Sequence, residues 1–470
     1  MNDVRLTGSW VAAAMAGSIV AGDAAREFTG VSIDTRTLRA GELYVALRGD
    51  RFDGAEFAPA AISGGAGGVV VSRRGGRGLG DPGSAVVIEV DDALDALQAL
   101  AHRVRRESGT RVVAITGSAG KTTTKEVTAE FLSARYRVMR TRGNFNNHIG
   151  LPLSLIELRQ RPEIAVVELG MNHAGEISRL VDIAAPDVRV WTNVGDAHLG
   201  FFGSLDDVAD AKAEILEDAT SSTLLVANAD DDRIAARTAS FAGRVVTFGI
   251  DRPADVRASA VADRGLAGMS ARVTSRQGAI DVVTPLVGRG NLANVLAAVA
   301  VALEFDVPLA AIAERASTLR PAAHRGEIVR LSDVTLIDDS YNANPTATRA
   351  ALDVLAAEPG ARPPLGRRVA VIGEMLELGD HAVALHEDVG RAAAAHVHEL
   401  IAVGGAPAAA MAAAAVAAGM PQASVRHCVT SGEAADVVAA LVHTGDVVLV
   451  KGSRGVRTDI VVDRLKAERG

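Results

Sequence analysis

Cysteine is nearly missing from this 470-residue chain. The single thiol, Cys428, rules out an internal disulfide and a cysteine-rich metal site, and it fits a reducing compartment. Aromatic residues make up only 3% and the net charge is −8, which together argue against a nucleic-acid-binding surface. No repeat of solenoid period is present. Long apolar runs are also scarce. Residues 400–425 carry no charge and could in length cross a bilayer, but Gly404-Gly405 and Pro407 split them and most of the rest is alanine. A buried strand at 400–403, a turn and an Ala-rich helix at 408–418 account for them. Residues 10–22 are apolar too, with only Arg5 ahead, offset by Asp3; they read as a first helix started at Thr7 or Ser9, not as a signal peptide. The expectation is a cytoplasmic protein with no stable membrane insertion. At this length one core does not suffice, and two to four domains are expected.

The most informative stretch is residues 112–124, V-V-A-I-T-G-S-A-G-K-T-T-T. An apolar run reads as a buried strand, breaks at Gly117, and gives way after Gly120 to an amphipathic run reaching about residue 134. Strand, glycine-bearing turn and helix start are what a phosphate-binding loop needs: backbone N–H groups approach the phosphate oxygens, and the helix adds partial positive charge. Lys121 would reach the outer phosphates and a Thr122 or Thr123 hydroxyl would ligand Mg²⁺. The first glycine falls at Gly117, not at Ile115, so this is the shorter form, G-x-x-G-K-T-T.

Around this loop the pattern predicts an α/β protein of three domains. Residues 1–107 form a small N-terminal α/β domain, with strands at 41–47, 68–72 and 86–90 and helices at 55–65 and 91–107. Residues 108–319 form a central P-loop domain with a parallel sheet, its strands at 137–140, 164–169, 188–194, 223–227 and 244–248 alternating with helices, followed by an antiparallel patch at 256–287. Residues 320–470 form a C-terminal, doubly wound, Rossmann-like domain with strands at 334–337, 368–372, 399–403, 425–429 and 446–450. The segments after its strands, Asp338 to Asn344, Gly373-Glu374-Met375 and Lys451-Gly452-Ser453-Arg454, are polar and suit a binding edge.

Several side chains fall where chemistry would need them. Glu168 ends a strand near the phosphate loop, a natural place for a Mg²⁺ ligand, directly or through water. Asn193, Asp196 and His198 follow the next strand end; His198 alone reads as a loop histidine, and gains meaning as a ligand beside Glu168 and Thr122. Lys212, in the helical run 206–217, reads from spacing as a solvated lysine. Asn144, Asn146 and Asn147 crowd a loop at 143–150 and would suit neutral groups of a sugar or peptide, or merely a turn. Asn291 and Asn294 open an apolar helix, as a cap or as contacts to a base edge. Arg325 is either exposed or able to reach phosphates.

Five segments together resemble the bacterial Mur ligases: T-G-S-A-G-K-T-T (116–123), G-N-F-N-N-H-I-G (143–150), E-L-G-M-N-H-A-G-E-I (168–177), D-D-S-Y-N-A-N-P (338–345) and V-K-G-S-R-G (450–455). The resemblance runs along nearly the whole chain. It implies an ATP- and Mg²⁺-dependent ligase of peptidoglycan precursor synthesis, forming an amide bond through an acyl phosphate. Within the family it points to addition of D-alanyl-D-alanine to UDP-N-acetylmuramoyl-tripeptide, because the ligase for the third residue typically carries Asp-Tyr-Ala-His where this chain has Asp339-Ser340-Tyr341-Asn342. The resemblance further implies roles. Ser32, Asp34, Thr35, Arg36, Phe52, Asp53 and Gly54 would contact the uridine end, and Asn144, Asn146 and Asn147 the muramoyl peptide. Gly117, Ser118, Ala119, Gly120, Lys121, Thr122 and Thr123 would hold phosphates, and Asn291 and Asn294 adenine. Arg325, Asp339, Asn342 and Asn344 would reach the nucleotide from the third domain, with Asp339 favoured over Asp338. Thr122, Glu168, His198 and a carbamylated Lys212 would hold Mg²⁺; Lys121, Lys212 and His198 would act in catalysis. Lys451, Ser453 and Arg454 match a segment near the incoming amine. Both substrates are small molecules, and a monomer is expected.

Overall fold

The computed structural model describes residues 4–49, 51–73, 81–141, 143, 145–197, 199–358 and 366–470. They group into two compact units: Met1–Ala114, Tyr136–Arg189 and Glu217–Thr223 in one, Ile115–Arg135, Val190–Leu216 and Leu224–Gly470 in the other.

The first unit begins with a five-stranded sheet of β1 (Ser18–Ala21), β2 (Val31–Ser32), β3 (Leu43–Val45), β4 (Gly68–Ser72) and β5 (Val86–Val90), in the order β1-β5-β4-β3-β2. All neighbours are parallel except β1, which runs antiparallel to β5. The expected first helix is shorter than the apolar run: it spans Gly8–Ala14, capped by Thr7, and the run continues as β1. The chain turns at Ala16, whose φ is 50°, and the β-branched pair Ile19-Val20 then joins the sheet edge. Helix Ala93–Ser108 starts on Asp92, whose carboxylate accepts from the Leu94 and Asp95 N–H groups, and it stops at left-handed Gly109. Its buried Arg105 donates to the Thr110, Ala184 and Ala185 carbonyls and to Asp187, a clamp that satisfies the guanidinium away from water.

A nine-stranded sheet follows: β6 (Arg111–Thr116), β7 (Val138–Arg140), β8 (Ile164–Glu168), β9 (Val188–Trp191), β10 (Leu224–Asn228), β11 (Arg244–Gly249), β12 (Val256–Asp263), β13 (Met269–Ser275) and β14 (Gly278–Thr284), ordered β14-β13-β12-β11-β10-β9-β6-β8-β7. The β7–β8, β10–β11 and β11–β12 pairs are parallel; β12, β13 and β14 form the expected antiparallel patch.

The last sheet holds β15 (Glu327–Arg330), β16 (Thr335–Asp339), β17 (Arg368–Gly373), β18 (Glu399–Val403), β19 (Val425–Cys428) and β20 (Val447–Lys451), ordered β15-β16-β20-β17-β18-β19. Strand β15, antiparallel to β16, was not among the sequence expectations; its E-I-V-R is short and half-exposed, so neither length nor alternation marks it. Apolar clusters cover both faces of this sheet. Because β20 inserts between β16 and β17, the strand order reverses there, and the carboxyl ends at that point carry Asp339, Lys451 and Gly373. Such switch points are where doubly wound sheets bind ligands. Among the described residues no helix is long and apolar enough to cross a membrane, and the 400–425 stretch is β18 followed by helix Ala406–Ala417.

Candidate active site

The end of β6, at Ile115 and Thr116, runs into the turn and the turn into helix Lys121–Leu132, all in the second unit. Two glycines shape it. Gly117 has φ 150°, and a Cβ there would lie 2.0 Å from Thr192 Oγ1; Gly120 has φ 78°, and a Cβ there would lie 2.4 Å from Asn294 Oδ1. Any other residue type would be strained at either place. Gly120 is the helix N-cap and offers no side chain, so no cap side chain competes for the first N–H groups of the helix. The Lys121 ammonium donates to the Gly117 carbonyl at 2.6 Å, and Thr122 and Thr123 lie half-buried at the helix start. Asn193 braces the turn: Ala119 N–H donates to its Oδ1 (2.8 Å), its Nδ2 donates to the Ala119 carbonyl (3.0 Å), and Ser118 N–H donates to its carbonyl (3.1 Å).

Lys212 is not solvated. It is 1% exposed, in helix Leu205–Ala213 beside buried Val208, Ala209 and Ala211. Burial first, then the charge of Lys121, pushes its amine well below the usual lysine range, against a smaller opposing pull from Glu214. The surface-lysine alternative fails on that burial, although Asp206, Asp207 and Asp210 on the same short helix are exposed.

Asn291 does not cap its helix. Helix Arg289–Glu304 begins after Gly288, and the Asn291 amide donates back to the Val287 carbonyl. Asn294 is buried against the phosphate helix, accepting from Thr124 Oγ1 (3.2 Å) and donating to Asn291 Oδ1 (3.2 Å). At the six-stranded sheet, Asp339 is paired with Lys451 at 2.6 Å, and the same ammonium donates to the Asn342 carbonyl at 3.0 Å. Asp338 is fully buried instead, held by His324 (2.8 Å) and the Ser340 hydroxyl (2.7 Å), whereas Asp339 is partly exposed at the end of β16. Asn344 caps helix Pro345–Ala356 through Ala347 N–H. The Arg325 guanidinium lies 4.1 Å from the centre of the Tyr341 ring, and Arg454 approaches the same ring at 5.6 Å. Ser453, buried, donates to the Ala343 carbonyl and accepts from Leu376 N–H, so three loops meet on one hydroxyl. The Tyr341 stack was legible only as part of its motif, since neither partner arginine is near it in sequence.

In the first unit, Glu168 ends β8 at 2% exposure, with Asn146 Nδ2 at 3.5 Å from its Oε2. Asn147 accepts from the Ile149 and Gly150 N–H groups at the start of helix Gly150–Ile156, a turn role. Asp34 is held at about 2 by hydrogen bonds from the Arg36 side chain and backbone, and Ser32 Oγ bonds the Asp34 backbone; Thr35 sits between. Asp53 caps Ala55 N–H, and the Gly54 carbonyl accepts from Tyr44 OH. Phe52 is 58% exposed, edge-on to Phe57 at 6.3 Å. Asn144 and His198 lie outside the described residues. Among those described, no cluster of three His, Cys, Asp or Glu side chains forms a preassembled cation site. Taken unit by unit, the oxygen donors suit Mg²⁺ in kind: the buried Glu168 carboxylate at a strand end in the first, the Thr122 hydroxyl at the helix start in the second; the Lys212 amine itself does not.

A glycine-shaped phosphate turn on a largely parallel sheet, with a doubly wound sheet presenting charged loops, defines a nucleotide-binding α/β protein of the P-loop kind. The chain belongs to the Mur ligase family. Residues 27–105 match the Mur ligase family catalytic domain, 115–302 the Mur ligase middle domain and 324–454 the Mur ligase glutamate ligase domain. Among its relatives, the UDP-N-acetylmuramoyl-tripeptide–D-alanyl-D-alanine ligase of Bacillus subtilis is 33% identical over 437 residues, 93% of each chain. A crystal structure of MurF from Acinetobacter baumannii superposes with a TM-score of 0.87 at 30% identity over 100% of both chains. A MurF ligase from Thermotoga maritima, in complex with ADP, gives 0.80 at 27% identity, covering 93% of this chain and 97% of that one.

Proposed function

We propose that this chain is the ATP-dependent ligase that joins D-alanyl-D-alanine to UDP-N-acetylmuramoyl-tripeptide in peptidoglycan precursor synthesis, acting as a monomer in the cytoplasm. The observation that carries it is the turn from Gly117 to Thr123, built for phosphates, in a chain similar along nearly its whole length to ligases of that name. Three parts divide the work: residues 1–107 hold the UDP end, 108–319 bind ATP, and 320–470 bring further nucleotide contacts and the amine.

A carboxylate resists amines because its carbonyl is unreactive and oxide leaves poorly. Transfer of the terminal phosphoryl group of ATP to the tripeptide carboxylate gives an acyl phosphate; attack by the amine of D-alanyl-D-alanine gives a tetrahedral intermediate, and phosphate leaves with the amide bond formed. Phosphoryl transfer is mostly positioning and charge neutralisation. Lys121 and the backbone N–H groups of the turn supply both. Asn291 and Asn294 flank the adenine side, and Arg325, Asp339, Asn342 and Asn344 approach the nucleotide from the C-terminal region. Ser32, Asp34, Thr35, Arg36, Phe52, Asp53 and Gly54 receive the uridine end, and Asn144, Asn146 and Asn147 the peptide. Bound Mg²⁺ would neutralise charge between the outer phosphates, with Thr122, Glu168, His198 and Lys212 as its holders. Lys212 can serve only after its neutral amine adds CO₂ and loses a proton, giving a carbamate. A pKa lowered by burial favours that addition, since an ammonium has no lone pair.

Phosphate release measured with ATP, UDP-N-acetylmuramoyl-tripeptide and each candidate amine tests the proposal. Release that requires both the tripeptide and D-alanyl-D-alanine is expected. Release with glutamate and a folate, or with a shorter muramoyl peptide and a single amino acid, would move the chain to another step.

A further inference from the structure

The loop that follows β9 is bonded on two sides. On one side Gly195 N–H donates to Ser118 Oγ (2.9 Å), and that hydroxyl donates to the Gly195 carbonyl (3.1 Å), fastening the loop to the phosphate turn. On the other side Asp196, 9% exposed, accepts through Oδ2 from Thr346 Oγ1 and from Arg349 Nη2, each at 2.9 Å. Both donors lie in helix Pro345–Ala356, which starts directly after the loop carrying Asp339, Asn342 and Asn344. Thr346 occupies its first turn, where the helix favours a negative partner. A few residues on, Gly200 N–H donates to the Glu377 carbonyl (2.9 Å), and the backbones are so close that a Cβ at Gly200 would lie 2.5 Å from Gly379 N. All of these residues belong to the second unit.

We infer that Asp196 is a positioning residue: it ties the phosphate turn, through Gly195 and Ser118, to the start of helix Pro345–Ala356, and so sets where the Asp339–Asn344 loop stands when ATP reacts. Its place after a strand end marks it in sequence only as a polar group on the rim. Its carboxylate touches no reacting atom in this scheme. A carboxylate holding a hydroxyl and a guanidinium at once makes charge-assisted bonds, which are strong and directional, and removing either side leaves the other unsatisfied. The inference rests on ATP occupying the Gly117–Thr123 turn.

The test is a double-mutant cycle on kcat/KM for ATP in the phosphate-release assay. Arg349→Ala is read first, since it lies far in sequence from every proposed metal ligand, whereas His198 is two residues from Asp196. Arg349→Ala and Asp196→Ala should each lower kcat/KM about tenfold, and the double variant should be no worse than either single one. Gly200→Ala, which pushes the 377–379 turn away, should give a loss in the same direction. If Asp196→Ala does not accumulate as folded protein, Asp196→Asn, which keeps the shape and an acceptor oxygen, takes its place in the cycle. Losses that simply multiply, or single variants with normal kcat/KM at unchanged melting temperature, overturn the inference. Failure of the wild-type protein to release phosphate with both substrates would instead count against the ligase reading itself.

Discussion

Replacing Gly120 by alanine should damage the phosphate turn through one identifiable contact. The φ of 78° places an alanine in the left-handed region, at a cost of about 1–2 kcal/mol. The new Cβ would also lie 2.4 Å from Asn294 Oδ1 and 2.8 Å from its Nδ2, far inside contact distance. The amide must turn away, giving up its bonds with Thr124 and Asn291, each worth about 0.5–1.5 kcal/mol. The sum is roughly 2–5 kcal/mol. Truncating Asn294 to alanine removes the obstacle as well as the bonds. Gly120→Ala/Asn294→Ala should therefore be more stable, by about 1–3 kcal/mol, than the two single effects added together. Trp191 is the natural probe, being fully buried at the end of β9, next to Thr192, whose hydroxyl donates to the Ala119 carbonyl. The chain has only one other tryptophan, Trp10, so urea unfolding can be followed at Trp191 in a Trp10→Phe background. Strict additivity, or a Gly120→Ala variant as stable as its parent, would refute the assignment of the strain to this contact.

Lys121→Ala should lower turnover by roughly a hundredfold or more while leaving the melting temperature near that of the wild type; near-normal phosphate release would remove the turn from the chemistry. Lys212→Ala should lose activity to a similar degree, and short carboxylic acids such as acetate should restore part of it; full activity, or none regained with any acid, would sink the carbamate. His386 should make the six-stranded region sensitive to acid. Burial holds its ring below the usual histidine range, and both nitrogens are used as a neutral ring uses them: Nε2 accepts from Met375 N–H (2.9 Å) and Nδ1 donates to the Ala382 carbonyl (2.6 Å). Since the unfolded chain takes up the proton first, stability should fall as pH drops below about 6.5 and level off below the folded pKa. The His386→Asn protein should show less of that slope between pH 7 and pH 5, and an identical slope would contradict the neutral ring.

The chain's alternation of strands and helices was legible because β-branched runs such as Val69-Val70-Val71 and Val112-Val113 end in glycine or polar turns. The phosphate turn was legible because its demands are local: left-handed glycines, a lysine and a helix start all fall within eight residues. What stayed hidden depends on partners far away in the sequence. Residues 10–22 are apolar throughout, and only the turn at Ala16 and the pairing with β5 divide them into helix and strand. Asp196 looked like one more polar group on a rim, because its donors lie 150 and 153 positions away. Asn147, Asp53 and Asn344 carry family motifs, yet their side chains are occupied with backbone N–H groups, and motif matching does not separate a residue that shapes a loop from one that touches a ligand.

The two lysines show how burial assigns chemistry to residues of one type. Lys121 stands half-buried, its ammonium hydrogen-bonded to the Gly117 carbonyl. Lys212 is buried, and a charged ammonium there would suffer twice, from lost hydration and from repulsion by Lys121. Both penalties press the same way, toward the neutral amine. Addition of CO₂ then changes the sign of the second effect: a carbamate on Lys212 is attracted by the charge that repelled the ammonium, and it presents oxygen where a divalent cation needs it. Replacing Lys121 should therefore weaken the modification as well as the phosphate contact. Mass analysis of the intact protein in bicarbonate, comparing wild type with Lys121→Ala, should show less of the added 44 mass units in the variant. Equal occupancy in the two proteins would mean that the charge of Lys121 plays no part in the modification.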